Sequence, residues 1–364
     1  MMVFSLVIIR NLSDELVAEY GFAQGLLRLF APYIGFSLGF HLITTSALLV
    51  ERLYATYFFI TCVFSVVSLS LLVFILSQFG LLSEEFIIFM MVLCCFTMSK
   101  VIYELKRSQL RALLSFKKLN IFNIRISFLL LASSFLAFWN VEVAIITCSL
   151  LIIFLSSSLK APKLPFRYFC IIIRKTLPIS VSSSVSLVLI SSDLILLKFL
   201  GASTQVSANY YLNQFILFTF LTIPSLVYVF FFESFKTKTR NLELEKFSQK
   251  LSFFGILIAC VLVFVFYDFI FAVLLQKSVS FSASLFFLFA ISVITNGSIR
   301  MYLANSFTAN GNSTIILYNS IISATSNLVL SVMLWFPFRE IGVAAGTLLT
   351  ILISSIYLYL EVKK

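Results

Sequence analysis

Residues 177–215 read LPISVSSSVSLVLISSDLILLKFLGASTQVSANYYLNQF. No residue from Leu177 to Ser192 carries a charge, one carboxylate follows at Asp193, and Lys198-x-Leu200-Gly201 then breaks the run before a second apolar segment begins. Such a run is a membrane span followed by a tight turn and the start of the next span. Ser182, Ser186 and Asp193 are spaced by 4 and 7, so they share one helical face. An ionisable group inside a span is costly and marks a pathway or a pairing partner. The face is therefore expected to look into a wet cavity, with Asp193 a candidate for ion coupling. The competing reading pairs Asp193 with Lys198 near the outer surface.

The rest of the chain continues this pattern. Of 364 residues 61% are apolar and only 11% charged, the mean hydropathy is +1.08, and Phe alone supplies 43. No soluble fold hides that much apolar side chain. With about 20 residues per span, uncharged runs centre spans near residues 5, 35, 66, 93, 129, 149, 188, 220, 261, 292, 325 and 350. The expected fold is an all-α polytopic membrane protein of about twelve helices, the first one short. No alternating ten-residue strands suggest a barrel, and no length remains for a soluble enzyme domain.

Six cysteines without CxxC spacing and a single histidine offer no disulfide framework, metal site or haem centre, so no cofactor is expected. The opening MMVFSLVII lacks a basic start and a cleavage site, and reads as the end of a membrane helix.

Basic residues divide unevenly between alternate loops. One side carries Arg52, Lys100 to Lys118, Lys160 to Lys175, Lys236 to Lys250, Lys363 and Lys364; the other carries Arg10, Lys198, Lys277 and Arg339 with most of the loop carboxylates. The positive-inside rule then places both termini in the cytoplasm. The net charge of +11 is mostly this topology signal and not a nucleic-acid interface.

An internal repeat organises the spans. Arg10-x-Leu12 and Ala18-x-Tyr20-x-x-x-Gln24 recur as Lys198-x-Leu200 and Ala208-x-Tyr210-x-x-x-Gln214, offset by 188 at the cation and 190 at Gln. Both copies occupy the outer turn after the first helix of a six-helix half. The expected domains are an N-terminal bundle over 1–158, a basic cytoplasmic linker over 159–176 and a C-terminal bundle over 177–364. Pro178 precedes Lys198 by 20 residues whereas Met1 precedes Arg10 by 9, so the first helix is expected to lack about 11 residues.

Further polar residues fall inside spans. Arg28, on the face of Gln24 and followed by Pro32, is a fixed cation able to hold a phosphate bidentately; pairing with Glu19 or snorkelling outward is the alternative. His41 is a lone histidine read first as structural, though its titration range suits proton coupling. Arg300 has Asn296 one turn earlier on its face, a candidate substrate contact. Asp268 is expected to cap the ninth span. The Ser320, Ser323 and Asn327 stripe suits interhelical hydrogen bonds or a lumen equally. There is no GxxxxGK[ST] loop, and nothing suggests an enzyme.

Three stretches carry a resemblance: IIRNLSDELVAEYGFAQ at 8–24, the 177–215 segment with Pro178, Asp193 and the Gly201 turn, and ANSFTANGNSTIILYNSIISATSNLVLSVMLWFPFREIGVAAGTLL at 304–349. Together they resemble the O-antigen and polysaccharide flippases of the superfamily that also holds multidrug and toxin extrusion carriers and the lipid II flippase. The resemblance implies two six-helix bundles in a V around a cationic lumen, working by alternating access on a polyprenyl-pyrophosphate-linked oligosaccharide in the bacterial inner membrane. Arg10, Arg28 and Arg300 would hold the pyrophosphate, Asn296, Ser182 and Ser186 would contact sugar, and Asp193 or His41 would couple a proton or sodium. Other polysaccharide-assembly membrane proteins are the partners it implies. A cation-coupled multidrug exporter of the same fold, and a membrane-embedded polysaccharide polymerase, are the alternatives.

Overall fold

A computed structural model describes residues 2–34, 38–39, 42, 47–78, 80, 84–157, 171–172, 174, 191–235, 241–277, 279, 281–310 and 312–363. Hydrocarbon offers the backbone no hydrogen-bond partner, so a spanning segment must satisfy its own amides, and the helix does so locally. Among the described residues there is no strand, and seven helical stretches are long and apolar enough to cross a membrane. The protein is an all-helical polytopic membrane protein. It forms two compact units, Met1–Ser184 and Val185–Lys364. Of the linker expected at 159–176 only residues 171, 172 and 174 are described.

The first unit contains α1 (Met2–Asn11), α2 (Asp14–Ile34), α3 (Ala47–Gln78), α4 (Glu84–Ala112), α5 (Phe116–Leu136) and α6 (Val141–Ser156). Helix α4 is the hub, packed against α2, α3 and α6. Ring contacts fix the levels: Phe4 of α1 meets Phe96 at 5.4 Å and Tyr20 of α2 meets Phe89 at 6.2 Å. Lys100, Lys106, Arg107 and Arg111, expected in a loop, lie on α4, which runs unbroken to Ala112. The chain turns only at 113–115, where Leu114 adopts φ 50°. The next reversal is sharper, with Asn140 accepting the Val143 amide at 2.9 Å to start α6.

The second unit contains α7 (191–199), α8 (Thr204–Thr219), α9 (Thr222–Phe230), α10 (Leu242–Val265), α11 (Ala283–Thr295), a π-helical turn (Asn296–Arg300), α12 (Met301–Ala309) and α13 (Ser313–Lys363). Gly201, at φ 74°, provides the left-handed turn between α7 and α8. Helix α13 is two arms: Arg339 sits at φ 52°, ψ −133°, and the chain doubles back there. Hydrogen bonds join Asn319 to Ser354, Asn327 to Thr347 and Ser331 to the Val343 carbonyl, so the arms run antiparallel. Gly342 and Gly346 allow the close approach, since a Cβ on Gly346 would lie 2.7 Å from Ser331 Oγ. The span centres expected near 325 and 350 are these arms. Those near 35 and 188 lie outside the described residues. Asp268 makes no cap hydrogen bond: the chain remains helical through it into a second π-helical stretch, Phe269–Leu274.

The units are inside-out relative to soluble bundles. Phe128, Phe154 and Phe336 point outward, while Ser323, Asn327, Ser331, Thr347 and Ser354 are sealed inside. Hydrocarbon is as apolar as Leu, so packing and internal hydrogen bonds, not hydrophobic burial, join the helices.

Candidate functional site

Asp193 is fully enclosed in the second unit. Its Oδ2 accepts from Tyr210 Oη at 2.8 Å, Thr347 Oγ1 at 2.7 Å and Gln214 Nε2 at 3.2 Å, and its Oδ1 accepts from Asn327 Nδ2 at 3.1 Å. Four donors from α8 and both arms of α13 compensate a charge that burial would otherwise make costly. Lys198 is not among these partners, and the carboxylate does not face open space. Neutral oxygens continue beyond it: Thr347 Oγ1 lies 3.2 Å from Asn327 Oδ1, and Ser331 Oγ lies 3.4 Å from the same oxygen and 3.5 Å from the Val343 carbonyl.

Tyr210 and Gln214 are the repeat residues, and the structure shows what the repeat preserves. In the first unit Ser5 is a polar neighbour of the Tyr20 hydroxyl, and Ser5 precedes Arg10 by the same five positions that separate Asp193 from Lys198. Each unit thus docks its Tyr onto a polar group of its preceding helix. Only the second unit makes that group an acid.

A second polar group lies further along the hairpin. Arg300 closes the π-helical turn, its Nε donating to Ser354 Oγ at 2.7 Å and its Nη1 to Asn296 Oδ1 at 3.2 Å; Ser354 Oγ donates in turn to Asn319 Oδ1 at 2.8 Å. Asn296 lies on the face of Arg300, as the spacing of four requires, and no described carboxylate pairs with the guanidinium. A π-turn leaves carbonyls without their usual helical donors. Here Tyr228 Oη donates to the Gly297 carbonyl at 2.9 Å and Gln249 Nε2 to the Ser298 carbonyl at 3.0 Å. Gly297 is required by packing, since a Cβ there would press on Ile256 and lie 3.0 Å from Pro224.

The other expected residues are dispersed. Arg10 is in the last turn of α1, its guanidinium 5.6 Å from the Phe138 ring. Arg28 is half-buried on α2 with no ion pair among the described residues, so the Glu19 pairing is not formed. Arg10 and Arg28 are not brought together. Ser182, Ser186 and His41 lie outside the described residues. The eleventh-span stripe resolves toward packing: Asn327 bonds across to Ser192 at 2.7 Å, while Ser320 and Ser323 donate to carbonyls one turn back. Thr347, Asn319 and Ser354 were not singled out from sequence. The available signals were the i, i+4 pair Asn319 and Ser323 in the first arm, and Thr347 and Ser354 two turns apart after Gly342 in the second.

No family model and no curated protein sequence matches the chain. Among solved structures, the lipid II flippase MurJ in an inward closed conformation matches with a TM-score of 0.68 at 17% identity, over 100% of this chain and 86% of its own. A MATE protein in complex with MaL6 matches with a TM-score of 0.61 at 13% identity, over 100% of this chain and 94% of its own. At such identities the likeness is one of architecture, and the chain has the fold that these two membrane proteins share.

Proposed function

We propose that this protein is a flippase that carries a polyprenyl-pyrophosphate-linked oligosaccharide, an O-antigen or related polysaccharide repeat unit, across the bacterial inner membrane by alternating access. The observation that supports it most is Arg300, a guanidinium held inside a span by Asn296 and Ser354 with no described carboxylate to neutralise it. A cation kept in that state is suited to an anionic ligand. Arg28 offers the same chemistry in the first unit, and Asn and Ser side chains offer hydrogen bonds to sugar. The lipid tail needs no pocket, because the bilayer already solvates it. Arg10, at the outer turn, suits an entry or exit contact.

Coupling is assigned to Asp193. One carboxylate with the neutral oxygens of Asn327, Ser331, Thr347 and Val343 suits sodium, a hard monovalent ion, better than a divalent metal, and among the described residues no cluster of three His, Cys, Asp or Glu offers a metal site. Protonation of the same carboxylate is the variant of this reading. An exporter of cationic compounds would need acids exposed in its lumen, whereas Asp193 is enclosed by its own donors. The reading is tested by deleting the gene and locating the lipid-linked oligosaccharide. Accumulation on the cytoplasmic leaflet, reversed by restoring the gene, is expected; delivery to the outer leaflet at the normal rate, in a strain with no second carrier, overturns it.

A further inference from the structure

One cation of the first unit belongs to neither set of basic loops. Arg125 lies on α5, nine residues or about 13.5 Å from its start at Phe116. Trp139, exposed just beyond the other end of α5, marks one head-group level. Arg125 is about 20 Å from that level, so in a hydrocarbon layer of about 30 Å it stops about 10 Å short of the opposite one. Its side chain is exposed, as are those of Ile121, Ile124 and Phe128 beside it, while Phe122, Ile126 and Leu130 face the bundle. Arg125 therefore points to lipid. Lys118, also exposed, precedes it by two turns on the same face and stands nearer the head groups.

A groove of about 480 Å³ opens from Arg125 between α5 and α6, lined by Phe128, Ala132 and Leu136 of α5 and by Thr147 and Leu151 of α6. From Arg125 to Leu136 it runs about 16.5 Å, close to the hydrocarbon depth of one leaflet. Among the described residues Arg125 makes no ion pair. The acid at this level of α4 is Glu104, next to the Tyr103 that donates to Asn123 of α5 at 3.0 Å, and Arg107 takes it up at 2.7 Å. A lipid-facing guanidinium without a counter-ion is costly, and snorkelling toward the head groups together with a phosphate that descends to meet it lowers the cost. A second copy of the chain docked here about a two-fold axis would bring the two Arg125 side chains toward each other. A lipid instead supplies an anion and an apolar chain in the order in which the groove presents its cation and its apolar walls.

We infer that the α5–α6 groove binds one anionic phospholipid from the leaflet on the side of the 113–115 turn, with Arg125 holding its phosphate and one acyl chain lying along Phe128, Ala132 and Leu151. Lys118 selects for net negative charge, because the choline of a zwitterionic head group would bring a second cation beside it. A lipid so held ties α5 to α6 in a solvent where apolar burial gives helices no reason to associate. The inference does not rest on the flippase reading.

The test is native mass spectrometry of the purified full-length protein released from nanodiscs of phosphatidylglycerol and phosphatidylcholine with identical acyl chains, mixed in equal amounts. The unaltered protein should retain one phosphatidylglycerol in preference to phosphatidylcholine by about fivefold, the effect of one cation near the membrane surface. Arg125→Gln should lose that preference and Arg125→Lys should keep most of it. Ala132→Trp fills the groove while leaving every charge in place, and should lose the retained lipid; it also carries the test if Arg125→Gln does not fold. Arg111→Gln removes an exposed cation from the same end of the unit but outside the groove, and should leave the preference unchanged. An unaltered preference in Arg125→Gln, or retention of the lipid in Ala132→Trp, overturns the site. So does an equal loss in Arg111→Gln, which would mean diffuse attraction to the basic end of the bundle.

Discussion

At Asp193 a buried carboxylate is held by four hydrogen bonds whose donors lie 17, 21, 134 and 154 positions away. The charge was legible in the sequence because an acid within a span is rare. Its surroundings were not, because helical spacing relates a residue only to its own helix, and all four of these donors come from other helices. Tyr210 and Gln214 were visible as repeated letters, but nothing in a repeat says that they point at one acid. The first unit, where Tyr20 meets Ser5 instead, suggests the least disruptive test. Asp193→Ser keeps an acceptor for Tyr210 and leaves the other donors short, for a loss of about 1–3 kcal/mol of stability. If Asp193 is the coupling site, sodium replacing choline at constant ionic strength should raise the Tm of the unaltered protein and leave that of Asp193→Ser unchanged. Equal stabilisation of both by sodium would remove Asp193 from ion binding.

Among the elements, the span over Ala283–Ala309 shows how one irregular turn is held in a bilayer. Its apolar run and single Arg300 predict a plain helix, and a π-turn has no sequence signature beyond Asn296 and Gly297 next to the cation. The irregular backbone is tolerated because it is buried in protein and its carbonyls are satisfied by neighbours. Tyr228→Phe removes the donor to the Gly297 carbonyl without changing shape and should cost about 1–3 kcal/mol in thermal unfolding. Gly297→Ala should cost a similar amount by a different route, forcing Ile256 and Pro224 apart. Tyr228→Phe should also weaken ligand binding at Arg300, because the turn positions that guanidinium; an unchanged affinity would show that the turn serves packing alone. The terminal hairpin was legible as two spans with Arg339 in the loop between them, but the left-handed backbone at Arg339 was not, since a positive φ at Arg contradicts the usual preference for Gly.

On the scale of the whole molecule, composition decided the class of fold because it is a solvent argument: a chain that is 61% apolar needs hydrocarbon around it. Orientation is a separate matter, set by which turns carry Lys and Arg, and the α5–α6 turn is the sharpest place to test it. That turn, 137–140, carries no basic residue, presents Trp139 at 89% exposure beside Phe138, and has Arg10 against the Phe138 ring. Exposed aromatics at a helix end mark the level of the lipid head groups. The 113–115 turn at the other end of α5 is flanked instead by Arg111, Lys117 and Lys118. If the basic side is cytoplasmic, Trp139→Cys in intact cells should react with a membrane-impermeant maleimide, and Ser115→Cys should react only after permeabilisation. Cys62, Cys94, Cys95, Cys148 and Cys260 lie on membrane-embedded helices, so the parent protein supplies the background. Labelling of Ser115→Cys but not Trp139→Cys in intact cells would invert the protein and place both termini outside.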